Sequence, residues 1–371
     1  MTTIFFTSVF FLFYTFIGYP LLLRIVKNEE TMPVASHSEL PELTVVLCIY
    51  NSRNELTKRI ENIFESDYPS DKVKILVVSD GSTDNPSEVI ELLNDSRIQL
   101  LHYSQNRGKS FALSHAKQHV KTEMVAFADI RQSFDNQALK HLAFVLADKN
   151  IGAVSGNLKI RSLGGTSEQG LYWKYEKSIR IKESELHSVL GVTGAIYMAR
   201  SSLIPDVPED SLLDDMYIPL SIVKQGYKVK FCESAVAYDT GSNTVTEEFY
   251  RKVRTLAGNY QLIKQLPWLL SIKSNPLFFQ FISHKVARLI MPFALISLFI
   301  SSSFLALTAI GVLFWSQIFF YSYTFIGYKY NQSQLPFINT CISFCSLNLA
   351  ALVAAWRYFT VKDITSLWKK H

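Results

Sequence analysis

The chain has 371 residues, enough for one large domain or two ordinary ones. Apolar residues make up 48% and charged residues 19%, which excludes both a disordered chain and a uniformly membrane-buried one. The formal charge of +5 is ordinary for a protein at a membrane surface and gives no support to a nucleic-acid partner.

Residues 4–23, IFFTSVFFLFYTFIGYPLLL, carry no charge and match the roughly 20 residues needed to cross a bilayer. A cleavable signal peptide is the competing reading. No basic residue precedes the run, no small-x-small site follows it, and Arg24 and Lys27 come directly after it. These signals predict an uncleaved transmembrane anchor over 1–24.

A soluble block is expected over 40–285, opening with alternating apolar runs and helix-like segments. LTVVLCIY (43–50), VKILVVS (73–79), IQLLHY (98–103) and MVAFAD (124–129) read as buried strands. Helices are expected between them over 55–66, 86–94 and 109–120. This alternation predicts an α/β fold, a mostly parallel sheet with helices on both faces. Ligands bind such sheets beyond the C-terminal strand ends. The polar residues there are Tyr50, Asn51 and Ser52, then Asp80-Gly81-Ser82-Thr83-Asp84, then Asn106-Arg107-Gly108-Lys109, and finally Asp129. Taken singly, SDGSTD reads as a capped turn and NRGKS as a loop without the spacing of a P-loop. Their order at successive strand ends makes them one candidate site.

The C-terminal region, 286–371, is expected to hold three apolar helices near 289–308, 310–328 and 336–356, the first turn falling near Ser301–Ser303 or slightly later. Arg24 and Lys27 at one membrane joint, with Lys285 and Arg288 at the other, place the soluble block in the cytoplasm by the positive-inside rule. Three later spans would then put the tail outside, although it carries Arg357, Lys362, Lys369 and Lys370. Either one apolar segment lies in the interface or the rule fails here. The four cysteines show no paired spacing, and His115 and His119 lack an acidic third ligand at a telling distance. YTFIGY recurs at 14–19 and 323–328, which reflects interfacial tyrosines at two span ends.

The strand-end motifs together resemble the inverting family-2 glycosyltransferases of GT-A fold, over about 43–262, and the flanking apolar helices match the membrane-bound members. The resemblance implies that Tyr50, Asn51 and Asp80 hold the base and ribose of a nucleotide-diphosphate sugar. Arg107 and Lys109 match the segment that closes over the nucleotide. Asp129 matches the first acid of an Asp-x-Asp motif and would be the metal ligand, but Arg131 stands where the second acid belongs. Mg²⁺ or Mn²⁺ is therefore expected through one carboxylate and the donor's diphosphate. Arg131 either supplies part of that charge or points away. GVTGAIYMAR (191–200) resembles the sugar-lining segment, with Gly194 and Ala195 leaving room, although a tight helix entry suits them equally. In SLLDD (211–215) the second acid, Asp215, matches the general base, and Asp214 joins the sugar pocket. Helix N-terminal charge is the plainer role for such acids. In FYRKVRTLAGNYQ (249–261) Arg251 and Arg254 keep cationic positions suited to diphosphate, while Thr255 replaces the tryptophan of chain-extending enzymes.

The resemblance thus implies an enzyme that moves a sugar from its nucleotide-diphosphate donor to a lipid-linked sugar or growing polysaccharide, alongside the bilayer and possible polysaccharide assembly proteins. Two alternatives stay open. One is a processive polysaccharide synthase. The other is a catalytically silent sugar-nucleotide-binding subunit of an export complex.

Overall fold

The computed structural model describes residues 1–26, 39–161, 171–240, 245–308, 311–330 and 334–361. They group into two compact units, one of 39–161 and 180–240, the other of 1–26, 171–179 and 245–361.

The first unit is built on an eight-stranded sheet: β1 (Leu43–Ile49), β2 (Val73–Asp80), β3 (Ile98–Tyr103), β4 (Met124–Ala128), β5 (Ser133–Phe134), β6 (Ile151–Arg161), β7 (Ile196–Arg200) and β8 (Lys228–Thr240). Their spatial order is β3-β2-β1-β4-β7-β6-β8-β5. The first four strands are mutually parallel, β4 meets β7 antiparallel, and β6 and β8 are parallel again. β1 lies at the centre of the parallel half because LTVVL is apolar on both faces: Leu43, Val45 and Leu47 are fully buried, and Val46 nearly so. Helix Arg53–Phe64 covers one face through Leu56, Ile60 and Ile63, the i, i+4, i+7 stripe of an amphipathic helix. The four strands and three helices of the alternating region end within two residues of their expected limits.

Two turns fix the ligand edge. Gly81 follows β2 at φ +73°, and a Cβ there would stand 2.3 Å from the Asn106 backbone nitrogen. The loop after β3 can therefore pass directly over the end of β2 only because residue 81 has no side chain. Gly108, at φ +96°, then turns the chain into helix Lys109–His119.

In the second unit three helices among the described residues are long and apolar enough to cross a membrane: Thr2–Ile25, Phe278–Ser303 and Ile338–Thr360. Gly311–Lys329 is also helical but is not among them; it carries Ser316, Gln317 and Ser322 together with three tyrosines. The Tyr14 hydroxyl is 2.6 Å from Ser283 Oγ, and the Tyr19 ring meets Phe279 at 5.6 Å, so the first helix is pinned to the second. The expected boundary at 285 differs from the one observed. Helix Val245–Gln265 belongs with the apolar helices because it buries Val253, Ala257 and Leu262 and stacks Tyr260 on Tyr358 at 5.4 Å. Lys362, Lys369 and Lys370 of the cationic tail lie outside the described residues.

Gly81→Ala is expected to lower stability by about 2 kcal/mol, from left-handed strain together with the backbone clash. Thermal unfolding of the detergent-solubilised chain checks this, with an unchanged melting temperature as the contrary result.

Candidate active site

Asp80 closes β2 and is 4% exposed. Its Oδ1 accepts the Arg107 N–H at 3.0 Å and its Oδ2 the Gly108 N–H at 2.7 Å, while its carbonyl accepts from Asn106 Nδ2 at 2.9 Å. The carboxylate thus organises the 106–108 loop, a role beyond the base contact expected of it. Asn51 sits at φ +47°, a conformation asparagine tolerates better than most residues. Its N–H donates to Ser82 Oγ at 3.1 Å and its Oδ1 accepts the Thr83 N–H at 2.8 Å, joining the ends of β1 and β2. Tyr50, next to it, is 54% exposed. Arg107 lies over the Phe111 ring at 3.7 Å and pairs with Glu209 at 2.7 Å.

Lys109 opens its helix and carries the central charge. Its Nζ is 2.9 Å from Asp129 Oδ1 and 3.8 Å from Asp214 Oδ2. Burial disfavours the ammonium, yet Asp129 and Asp214 more than offset that and hold it above the usual lysine range. Asp214 and Asp215 form the first turn of helix Asp214–Lys224. Asp214 is 5% exposed, and among the described residues its Oδ2 accepts no hydrogen bond. Asp215 is partly exposed and lies beside Gly194: a Cβ on that glycine would be 3.9 Å from Asp215 Oδ2 and 3.6 Å from Lys109 Nζ. A methyl group fits there without clash, so the glycine keeps open space that longer side chains would fill. Ala195 is buried directly behind it in the chain. The Tyr197 hydroxyl is buried and has no hydrogen-bond partner among the described residues; burial, with Asp214 and Asp215 nearby, pushes its ionisation far up.

Arg131, in the position of a second acid, pairs with Asp239 of β8 at 2.7 Å, and Gln132 Nε2 donates to the same Oδ2 at 3.0 Å. Of the two roles open to Arg131, this geometry favours the one directed away from a diphosphate. Among the described residues no group of three or more histidines, cysteines and acids is placed to hold a metal. Asp129 offers one carboxylate with one oxygen already on Lys109, which fits a cation only if a bound donor supplies further ligands. Arg254 lies on helix Val245–Gln265, in the other compact unit. The four cysteines are free, and the His115 ring lies against Phe111 at 4.1 Å, tilted by 42°, a packing role.

The site therefore gathers Asn51, Asp80, Arg107, Lys109, Asp129, Gly194, Asp214 and Asp215 within one unit. Missed from the sequence were Tyr197, Glu209 and Asp239. Tyr197 had one signal, a hydroxyl in an otherwise apolar strand three residues after Gly194; the other two are distant pairings without a local pattern.

Comparison with known proteins bears on this geometry. Residues 44–205 match the family described as Glycosyl transferase family 2, and residues 163–356 match Glycosyl transferase family group 2. The chain is 23% identical over 239 residues to a poly-beta-1,6-N-acetyl-D-glucosamine synthase of Staphylococcus aureus, which covers 62% of this chain and 58% of that protein. It is 20% identical to the probable glycosyltransferase YdaM of Bacillus subtilis, covering 69% of this chain and 63% of that one. Among solved structures, the mannosyltransferase PcManGT from Pyrobaculum calidifontis, in complex with GDP-Man and Mn²⁺, matches with a TM-score of 0.74 at 18% identity, over 97% of this chain and 99% of that one. That likeness shows the GT-A fold.

Arg131→Ala is expected to cost about 1 kcal/mol, because Asp239 is buried and, among the described residues, keeps Gln132 as its remaining side-chain partner. Chemical denaturation reads the loss. Nucleotide affinity, measured in parallel, should stay unchanged, and a large fall in affinity would place Arg131 on the donor.

Proposed function

Given that the chain belongs to the family-2 glycosyltransferases, we propose that it is a membrane-anchored inverting enzyme using a nucleotide-diphosphate sugar, with a lipid-linked sugar or growing polysaccharide as acceptor. The carrying observation is the cluster at the ends of the parallel strands, where Lys109 bridges Asp129 and Asp214 while Asp215 borders the space left by Gly194. In this reading Asp215 takes the proton from an acceptor hydroxyl as that oxygen attacks the anomeric carbon. The bond to the diphosphate breaks on the opposite face, so a single displacement inverts the stereochemistry. Lys109 supplies fixed positive charge near the departing diphosphate, and preorganised charge of this kind lowers the barrier without reorganisation. Asp214 Oδ2 and the Tyr197 hydroxyl, both buried without hydrogen bonds among the described residues, suit the hydroxyls of a donor sugar. Asn51, Asp80 and the exposed Tyr50 border the nucleotide. Mg²⁺ or Mn²⁺, held by Asp129 and the donor's own oxygens, would add further charge neutralisation.

The relatives support a substrate in polysaccharide assembly, since one of them is a polysaccharide synthase. A processive synthase is the alternative, and Thr255 in the place of the stacking tryptophan weighs against it. A silent binding subunit has no use for Asp215 beside the sugar space. In the proposed orientation the catalytic unit is cytoplasmic, the side favoured by Arg24 at one membrane joint and by Lys285 and Arg288 at the other.

Asp215→Asn should reduce transfer by about 10²–10⁴-fold, the usual contribution of a general base, while nucleotide binding persists. Radiolabelled transfer in membranes, paired with calorimetric nucleotide binding, checks this. Equal losses in both would make Asp215 a structural acid. Mn²⁺ should bind weakly alone and about tenfold or more tightly with nucleotide-sugar present, and Asp129→Ala should abolish that gain. Electron paramagnetic resonance of Mn²⁺ gives the readout without turnover, and identical affinity with and without donor would contradict shared ligation.

A further inference from the structure

Beneath the loop that follows β4 lies a charged side chain that the proposed reaction does not use. Arg59, on helix Arg53–Phe64, is 2% exposed. Among the described residues no carboxylate forms an ion pair with it, and burial pushes the guanidinium down to about 10, with Asp129 opposing from further away. Its Nε donates to the Asp129 carbonyl at 3.1 Å and its Nη1 to Asn62 Oδ1 at 2.6 Å, while its Cζ lies 4.0 Å from the centre of the Phe134 ring. Its Nη2 is buried with no hydrogen-bond partner among the described residues. Asn62, three residues on and on the same helix face, donates from Nδ2 to the Phe134 carbonyl at 3.1 Å and accepts the Phe134 N–H at 2.8 Å. The two side chains thus grip both ends of the segment 129–134.

Asp129 needs such a hold because the sheet no longer supplies one. The parallel ladder between β1 and β4 ends at the pair Leu47 and Ala128, one residue earlier. The Asp129 carbonyl takes a side-chain donor from the helix in place of a ladder partner. That bond restricts rotation of the Asp129 backbone, and with it the direction in which the carboxylate leaves the chain. On its other side the segment is tied to β8, because Arg131 and Gln132 both bond Asp239. Burying a guanidinium without a paired acid is costly, and an apolar side chain would fill the same space at lower cost. We propose that Arg59 is a positioning residue for the donor site: through the main-chain carbonyl of Asp129 it holds that carboxylate where a divalent cation and the donor's diphosphate can share it, and it touches neither. The inference rests on the proposed metal site at Asp129, which has one carboxylate and so depends on its direction more than a paired site would.

Substitution at position 59 tests this, since glutamine places an N–H, and methionine a methyl group, where the arginine Nε stands. Electron paramagnetic resonance gives the Mn²⁺ affinity of the full chain in detergent, alone and with GDP or UDP as probe. Arg59→Met is expected to lower the nucleotide-dependent gain in Mn²⁺ affinity about tenfold, the usual effect of losing a residue that orients a metal ligand, while metal-free nucleotide binding stays within about twofold. Arg59→Leu replaces Arg59→Met should the latter fail to fold. Arg59→Gln, which can still donate to the carbonyl, should keep the gain to within about threefold. Ile60→Val, a core substitution on the same helix, should lower the melting temperature and leave the gain within about twofold. A full gain in Arg59→Met would overturn the proposal. Equal losses in Arg59→Gln and Arg59→Met would trace the effect to charge and overturn it too, as would a matching loss in Ile60→Val, which would make it one of stability. No gain in the parent chain with either nucleotide would sink the metal site at Asp129 together with this inference. A gain in the parent that Arg59→Met leaves untouched would sink the inference alone.

Discussion

Lys109 brings a positive charge into a pocket where it would be unfavourable alone, and Asp214, whose side chain is 7% exposed, would be unfavourable there without it. Asp129 comes from the end of β4, Asp214 from the first turn of a helix about 85 residues later in the chain, and Lys109 from a third segment. Stripping a cation from a buried carboxylate costs about 3 kcal/mol or more. The ammonium therefore acts as a tether that draws helix Asp214–Lys224 toward the strand ends. Asp215, one residue beyond Asp214, is held where it borders the open space at Gly194 because its neighbour is tied to the lysine. Asp80 makes the tether possible one step earlier, since its two backbone hydrogen bonds set the loop from which Lys109 emerges.

The same arrangement explains how charge can be managed at this edge with one acid of the usual pair missing. The Arg131 guanidinium is engaged by Asp239 on the neighbouring part of the sheet. The standing positive charge is that of Lys109. A divalent ion arriving with its nucleotide would share Asp129 with that amine, which accounts for a site that looks unfinished until the donor contributes its own oxygens.

Much of the fold was legible because buried parallel strands leave a strong local signal. LTVVLCI has no polar face, and the Gly81 and Gly108 turns punctuate the pattern where the backbone needs positive φ. The candidate site was legible as a set of strand-end residues, but their partners were not. Asp80 looked like a ligand contact, whereas its oxygens first serve a loop 26–28 residues away. The Arg131–Asp239 and Arg107–Glu209 pairs span more than a hundred residues and follow from topology alone. Helix Val245–Gln265 was placed with the soluble block because its charges dominate a linear reading, although its buried stripe of Val253, Ala257 and Leu262 decides where it packs.

The central claim is a single displacement at the anomeric carbon, and the configuration of the released sugar tests it most directly. Incubating the purified chain with a panel of nucleotide-diphosphate sugars and no acceptor lets water take the acceptor's place. Proton NMR of the freshly released sugar, read before mutarotation, reports which face was attacked. The account predicts an anomer inverted relative to the donor for whichever sugar is turned over. Release with retained configuration would contradict it.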